Sequence, residues 1–376
     1  MRLSRGTLLF LLTFLVPALS SLPAAAQGRS KIDHALNQFV GEAQGSGKKL
    51  KIIIRATPDH IDGLRQALTN HGERIDADHP SISGMSLELD AARIALFCAY
   101  HIVDSCSVDA DVAATAAPTK KGGPTPAVNT PEVNTMLGNL GLVVDPTAGR
   151  GITVALIDSG LFPSKAFAGR IKAFYDFTNG RTRRAPAHDG YGHGTHVAGL
   201  IGGLQTAADH EFQGVAPGVQ FVVLKVLDAK GGGKTSDVIR AIEFAVANAG
   251  DDRLGIDLIN LSLGHPIFEP AATDPLVQAV EQASKAGVVV VASAGNFGTN
   301  PETGEPGYAG ISSPGNAPSA ITVGAYDHKA SVTRLDDRVT AYSSRGPAWY
   351  DGHAKPDVVA PGHYLGAEAS PLSGLA

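Results

Sequence analysis

The chain has 376 residues, of which 43% are hydrophobic and 18% are charged, and 44 of them are glycine. This length allows two domains and a short leader, and the composition is typical of a globular α/β protein with many turns. The net charge of -5 leaves no excess of basic groups for a polyanion, so the sequence argues against nucleic acid as a partner.

Residues 1–26 have the features of a secretory signal peptide. Arg2 and Arg5 precede an apolar run over residues 8–16, and the A-A-A of residues 24–26 provides a cleavage site. The run is too short to cross a bilayer, and no later stretch reaches the roughly 18 uninterrupted apolar residues of a membrane-spanning helix. We therefore expect an exported protein, extracellular or periplasmic, with no membrane anchor.

Residues 48–112 predict a small α+β domain with the βαββαβ order of ferredoxin-like folds. The β-branched residues over 50–54 favour its first strand. A helix is predicted from Thr57-Pro58 to Gly72, and Asp90 is predicted to cap a second helix. About 65 residues are enough to pack two helices on one sheet.

Both cysteines of the chain, Cys98 and Cys106, fall in this small domain. In an oxidising compartment they can close a short disulfide loop. The alternative is that each is a small buried hydrophobic residue. The sequence leaves both interpretations open, and neither cysteine is predicted to be catalytic.

Two further segments flank the small domain. Residues 27–47 form a short N-terminal segment, and residues 113–130 are rich in Ala, Thr, Pro and Gly around Lys120-Lys121. The second composition cannot build a core, so it predicts a linker that contains a processing site. A spacer that is never cut is the alternative.

Residues 131–376 predict a second domain in which short apolar strands alternate with longer helices. Ser236 is predicted to cap one helix, which Gly250 ends, and Gly287 follows another over 276–286. Near-continuous apolar strands separated by helices indicate an α/β fold, a mostly parallel sheet with helices on both faces. The predicted strands cover residues 152–157, 221–226, 256–263 and 288–292.

Three polar groups of different chemistry lie at the ends of apolar runs in this domain. Asp158 ends V-A-L-I-D, His193 lies in G-H-G-T-H-V-A-G, and Asn296 ends V-V-A-S-A-G-N. Ligands of such sheets bind beyond the carboxyl ends of the strands. An exposed neutral imidazole with one nitrogen held by a carboxylate is the usual general base, so His193 is a candidate for that role. The Asn296 amide can donate to developing negative charge on a carbonyl oxygen, and an ordinary turn asparagine is the alternative.

A metal site is the competing interpretation around His193, because His188, Asp189 and His196 are its neighbours in the sequence. No H-E-x-x-H pattern occurs, and histidines three residues apart without a nearby glutamate are weak evidence for zinc. We therefore predict no metal there, and we predict His196 to be a core histidine.

Ser262, in N-L-S-L-G, is a tempting nucleophile. The G-x-S-x-G elbow of the α/β-hydrolases, however, requires glycine where Asn260 stands. The glycine-rich stretch 231–234 has no phosphate-binding spacing and is predicted to be a loop.

Taken together, these blocks resemble the subtilisin-like serine proteases, the subtilases, over about residues 151–362. Further blocks follow in the family's order: G-V-A-P at 214–217, Y-S-S-R-G-P at 342–347 and K-P-D-V-V-A-P-G at 355–362. The resemblance implies a subtilisin-like fold and an exported serine endopeptidase that cleaves peptides or proteins with Asp, His and Ser in that chain order.

The resemblance also implies roles for individual residues. Asp158 would orient His193, which would act first as base and then as acid, and Asn296 would supply an oxyanion donor. Ser262-Leu263-Gly264 resembles the strand that pairs with the substrate backbone. Residues 48–112 resemble the family's propeptide, an intramolecular inhibitor that assists folding and blocks the cleft until it is cut away.

The family's nucleophile is the point of departure, because it lies in a G-T-S-M-A-[SA]-P motif that does not occur in residues 1–376. Aligning Ser370-Pro371 with the end of that motif puts Ala367 where the serine is expected, and Ser373 has no matching context. We therefore expect a C-terminally incomplete precursor without its nucleophile. The alternative is a catalytically inactive, peptide-binding relative.

No cofactor is predicted with assigned ligands. Calcium is common in the family, and the segment 204–213 contains oxygen donors in Asp209 and Glu211. It lacks the asparagine-rich loop of the family's well-known site, so a flexible solvated loop is the favoured interpretation and calcium binding is the alternative.

Overall fold

The structure, a computed structural model, describes residues 31–115, 131–206 and 211–373. The predicted signal peptide lies outside these residues, and so does most of the predicted linker. From Lys31 onwards the chain forms one compact unit. None of the helices in the described ranges is long and apolar enough to cross a bilayer.

The N-terminal domain is a four-stranded antiparallel sheet with helices packed on it. Its elements are α1 His34–Glu42, β1 Lys49–Ala56, α2 Ile61–Asn70, β2 Ile75–His79, β3 Gly84–Asp90, α3 Ala91–Cys98 and β4 Val103–Val108, and a further strand, β5 Asp111–Ala114, follows them. The strands of the sheet are in the order β2-β3-β1-β4. The chain order from β1 to β4 is the predicted βαββαβ, to which α1 is added within the predicted N-terminal segment.

Helix starts in this domain were only partly predictable. The Asp90 side chain accepts from the Arg93 N–H, 2.9 Å away, and caps α3 as expected. The prediction that α2 starts at Thr57-Pro58 is wrong. Thr57 donates its N–H to the Ile102 carbonyl, and Asp59 has a φ of 65°, so the chain turns before the helix begins.

The two cysteines form a disulfide that joins the end of α3 to β4. Of the two interpretations that the sequence left open, the paired one is therefore found. Cys98 and Cys106 are both buried, in the same apolar cluster as Phe97 and Ile54. The bond thus fastens a helix to the sheet inside the domain's own core.

The second domain is built on a nine-stranded sheet, with four short strands outside it. Its elements are α4 Pro131–Asn139, β6 Thr153–Asp158, β7 Ile171–Asp176, β8 Arg183–Arg184, α5 His193–Gly202, β9 Leu204–Thr206, β10 Glu211–Gln213, β11 Gln220–Lys225, β12 Gly232–Lys234, α6 Thr235–Ala247, β13 Leu258–Leu261, β14 Leu263–Gly264, α7 Pro275–Lys285, β15 Val289–Ser293, β16 Ile321–Asp327, β17 Arg338–Val339 and β18 Val358–Pro361. The order in the large sheet is β17-β16-β15-β13-β6-β11-β7-β8, and β18 also pairs with β16.

The central pairings of this sheet are parallel, as predicted, and antiparallel pairs occur only where β8 and β17 join it in the described residues. Alternate side chains of β6 point to opposite faces of the sheet. Ala155 and Ile157 belong to the core under α6 and α7, whereas Val154 and Leu156 belong to the core that includes α5. Burial on both faces explains why the strand is apolar throughout.

The start of α6 differs from the prediction. The helix begins at Thr235, and Ser236 lies within its first turn instead of capping it. Its N–H and hydroxyl both donate to the carboxylate of Asp109, each over 2.8 Å. The helix is therefore capped by the N-terminal domain, from 127 residues away in the sequence.

Strand β5, at the end of the N-terminal domain, leaves that domain and enters the second one. It forms the middle of a three-stranded antiparallel sheet between β12 and β14. The predicted linker boundary at residue 113 is therefore too early, because Ala113 and Ala114 are paired with neighbouring strands. The stretch 231–234 was predicted as a loop, but its last three residues form strand β12, because they pair with β5.

Candidate active site

Asp158 and His193 are in direct contact. Nδ1 of the imidazole lies 2.8 Å from Asp158 Oδ1 and 3.0 Å from Oδ2, and the carboxylate is completely buried. Asp158 ends the central strand β6, and His193 opens α5. The two residues that the sequence singled out, 35 positions apart, thus meet at the carboxyl edge of the parallel sheet.

Glycines allow this approach of helix and strand. Gly192, just before α5, has a φ of 99°, which an L side chain rarely adopts. A Cβ at Gly194 would overlap the carbonyl oxygen of Gly160 and lie 3.2 Å from the Cβ of Asp158. The G-H-G pattern around the histidine is therefore a requirement of close packing as well as of the turn.

The electrostatics of the pair favour a protonatable imidazole. Burial by itself lowers the pKa of His193, but the charge of Asp158 and its hydrogen bond outweigh burial and raise this pKa above its ordinary value. Because Nδ1 is engaged by Asp158, the neutral ring presents Nε2 as the acceptor. Among the described residues, Nε2 has no hydrogen-bond partner.

His193 lies on the wall of a cavity of about 620 Å³. Asn296 and Ser262 line the same cavity, together with apolar residues of α5, β16 and the end of β18. Asn296 is half-buried in the turn that follows β15. Gly295 shapes this turn, with a φ of 101° and serine hydroxyls where a Cβ would stand.

Ser262-Leu263-Gly264 forms one side of a backbone groove. The Ser262 carbonyl accepts from the N–H and the hydroxyl of Thr115, over 3.0 and 2.9 Å, and β14 continues the pairing to Ala113 and Ala114. The Ser262 hydroxyl bonds the Asn260 amide over 3.0 Å and not His193. This serine therefore contributes backbone to the groove.

The other histidines of the sequence cluster diverge. His196 Nε2 bonds the Leu365 carbonyl over 3.1 Å, as expected for a core histidine, and His188 Nδ1 bonds the Pro186 carbonyl over 3.0 Å. Within the described ranges, no group of three His, Cys, Asp or Glu side chains could hold a metal. The calcium candidate Asp209 lies outside the described residues.

Sequence reasoning missed three contributors to the site. Strand β12 forms the second side of the groove, and its consecutive glycines, which let another backbone approach closely, were the available signal. Thr115 reaches the cavity itself. Asp189 was considered only as a metal ligand, yet it is buried among five donors close to His193.

The architecture is that of a subtilisin-like α/β protein, in which a parallel sheet carries a buried carboxylate–imidazole pair at its carboxyl edge. Fervidolysin from Fervidobacterium pennivorans, a keratinolytic enzyme related to subtilisin, superposes with a TM-score of 0.60 at 22% identity, over 84% of this chain and 47% of that one. Sphericase superposes with a TM-score of 0.54 at 28% identity, over 65% of this chain and 77% of its own.

The chain belongs to the subtilase family, whose model matches residues 149–375. Serine protease AprX of Bacillus subtilis (strain 168) is 38% identical over 228 residues, which are 60% of this chain and 49% of that protein. Subtilisin E of the same strain is 36% identical over 214 residues, 57% of this chain and 47% of its own length. The chain thus spans about half the length of these curated relatives.

Proposed function

We propose that this protein is the precursor of an exported serine endopeptidase, with Asp158 and His193 as two members of its catalytic triad. The observation that carries the proposal is the 2.8 Å contact between His193 Nδ1 and the buried Asp158, on the wall of a cavity that Thr115, just after β5, also lines. Family membership supports the reaction class, peptide-bond hydrolysis by acyl transfer.

The proposed chemistry assigns each group a step. His193 Nε2 takes the proton of a serine hydroxyl as that oxygen attacks the scissile carbonyl, and later gives it to the leaving amine. Asp158 keeps the imidazole in the required tautomer and stabilises its charged form. Asn296, on the same cavity, donates its amide to the oxyanion of the tetrahedral intermediate.

The proposal requires a serine that the described residues do not bring to His193. We place it on a polypeptide segment that packs in the 620 Å³ cavity beside His193, where α5 and the ends of β16 and β18 offer an apolar surface. This is the proposed counterpart of the missing G-T-S-M-A motif.

The N-terminal domain is proposed to be an inhibitory propeptide. Its strand β5 is held by backbone hydrogen bonds between β12 and β14, as an extended substrate would be. Two further contacts fix the domain: Asp109 caps α6, and Glu243 of α6 accepts from the N–H and hydroxyl of Ser81, over 2.9 and 2.6 Å. These contacts favour an inhibitor in the same chain over an unrelated domain.

The same register points to the site of maturation. Thr115 donates its N–H to Ser262 and lies on the cavity wall with His193 and Asn296. Cleavage on the carboxyl side of Thr115 is therefore expected, which lies within the predicted linker. N-terminal sequencing of the secreted protein tests this, with Ala116 as the expected first residue and a start elsewhere as the contrary result.

Activity is tested by labelling the product of the complete gene with a fluorophosphonate, which reacts with activated serines. The protein should be labelled, and the His193→Gln variant should not. A protein that is not labelled but retains peptides would instead support the second candidate, an inactive peptide-binding relative.

A further inference from the structure

Asp189 is completely buried beside the catalytic pair without touching either of its members. We propose that Asp189 is a positioning residue, whose carboxylate fixes the first turn of α5 against the end of β6 and thereby sets the orientation of His193 towards Asp158. The catalytic consequence rests on the proposed function, whereas the structural claim about the imidazole does not.

The Asp189 carboxylate is saturated with donors. Oδ1 accepts from the Ser159 hydroxyl over 2.9 Å and from the N–H of Gly192 over 2.7 Å, with the N–H of Tyr191 at 3.2 Å. Oδ2 accepts from the N–H and the hydroxyl of Thr195, over 2.9 and 2.7 Å. Only an ionised carboxylate offers acceptors on both oxygens and no competing donor.

The backbone groups that Asp189 binds lie on both sides of His193 in the sequence. Gly192 precedes the histidine and Thr195 follows it by two positions, so one carboxylate holds the backbone on both sides of the ring. The Ser159 hydroxyl, which donates to Asp189, accepts in turn from the N–H of Gly194 over 2.9 Å.

Ser159 also links Asp189 to Asp158, the carboxylate of the pair. Its N–H donates to Asp158 Oδ1 over 2.6 Å. Asp189, Ser159 and Asp158 are therefore linked from the helix start to the strand end by hydrogen bonds through one residue. A tilt of α5 away from β6 would break several of these bonds together.

The charges around the pair are consistent with this role. Lys225 is buried and donates Nζ to the carbonyls of Ser159, over 2.6 Å, and Leu227. Burial lowers the pKa of Lys225, and the carboxylates of Asp189, Asp176, Asp228 and Asp158 oppose that effect.

His193 responds to the same charges. Its pKa is lowered by burial and raised by Asp158 and then by Asp189, while its charge acts in turn on the neighbouring His196. Asp189 therefore contributes to the ring's affinity for a proton in addition to its orientation.

The test compares Asp189→Asn with Asp176→Asn in the full chain by NMR of the imidazole nitrogens and protons, assigned with His193→Gln. In Asp189→Asn, an NH₂ donor replaces one of the two accepting oxygens, so it would face N–H or hydroxyl donors that it cannot bond. The negative charge of the carboxylate would be lost as well. We expect a fall of about half a unit or more in the pKa of His193 and a weakened Nδ1–H signal. Asp176 is a matched control, since it is also buried and near Lys225 but bonds Thr178 and Arg183.

The proposal is overturned if folded Asp189→Asn titrates like the wild type, or if Asp176→Asn shifts His193 equally. Should Asp189→Asn fail to fold, Ser159→Ala provides the same readout, because it removes only the hydroxyl between Asp189 and Gly194. In Ser159→Ala, a smaller fall in the pKa of His193 supports the proposal, and an unchanged pKa overturns it. Because no nucleophile is needed, these outcomes are independent of whether the protein proves to be a protease.

Discussion

At the scale of single residues, His193 shows how a local motif and a distant contact combine. Burial disfavours its charged form, and the contact with Asp158 reverses that preference. The contact with Asp158 thereby increases the affinity of the imidazole for a proton. The glycines on each side were visible in the sequence, while the hydroxyl and carboxylate network behind them was not.

Asp158→Asn tests the charge of this pair. We expect peptidase activity of the processed product of the full gene to fall by roughly 10⁴-fold. The neutral amide cannot replace the carboxylate in stabilising the imidazolium. The pKa of His193 should fall as well. Hydrolysis of a chromogenic peptide and NMR titration measure the two effects.

Asp257→Asn is the matched control, since Asp257 accepts from the N–H of Thr153 at the opposite end of β6, over 2.8 Å. Activity retained in Asp158→Asn, or lost equally in Asp257→Asn, would contradict the assignment.

At the scale of elements, the groove is made by β12 and β14 and is filled by β5. Val112 of β5 is buried in the same core as Leu227 and Leu263. It lies 3.3 Å from where a Cβ at Gly233 would stand. The strand is thus held by its backbone, by the buried side chain of Val112 and by the partly buried Ala114, which packs against the same core.

Val112→Ala should loosen this strand. Removing the buried methyl groups should cost about 1.5 kcal/mol of unfolding free energy, and it should speed amide exchange at Ala114, whose N–H donates to the Gly231 carbonyl. Urea denaturation and hydrogen exchange followed by mass spectrometry measure these effects. Ala113→Ser, at an exposed position of the same strand, should change neither, and equal effects of both variants would refute the anchoring role of Val112.

At the scale of the whole molecule, ionisable groups are buried where the two domains meet. Glu269 is nearly inaccessible near Asp33 of the N-terminal domain and near Asp274, with Arg55 and Tyr350 also in electrostatic contact. His79 is fully buried, and neither of its ring nitrogens has a hydrogen-bond partner in the described residues. Burial of these groups makes the stability of the folded chain depend on pH.

The two groups act in opposite directions. Burial, with Asp274 and Asp33 adding to it, raises the pKa of Glu269 from 4.5 to about 8. The folded protein then holds a proton that the unfolded chain has lost, so stability falls as the pH rises through that window. Burial lowers the pKa of His79 from 6.5 to about 4, so stability falls as the pH drops from 6.5 towards 4.

Glu269→Gln isolates the first effect. Relative to the wild type, this variant should gain stability as the pH rises from 4.5 to 8, by at most about 1.4 kcal/mol per pH unit, because it no longer needs the proton. Urea denaturation at pH 5, 6.5 and 8 measures the difference. Glu302→Gln, on the exposed surface, should show no such trend, and a constant difference between wild type and Glu269→Gln would contradict the coupling.

The sequence by itself determined the parts that depend on neighbouring residues. Apolar runs bounded by turns predicted β6, β11, β13 and β15, because strands buried on both faces must be apolar throughout. Asp158, His193 and Asn296 were singled out because strand ends and glycine turns expose polar groups. The strands β7 and β16 were not predicted.

Only the tertiary structure decided which groups far apart in the sequence pair with each other through hydrogen bonds, strand pairing or the disulfide. It gave α6 a cap from Asp109, paired Cys98 with Cys106, turned residues 231–234 into one side of a groove and surrounded Asp189 with donors. The physical reason is that a buried polar group needs a partner, and that partner is fixed by how the chain packs and not by its neighbours in sequence.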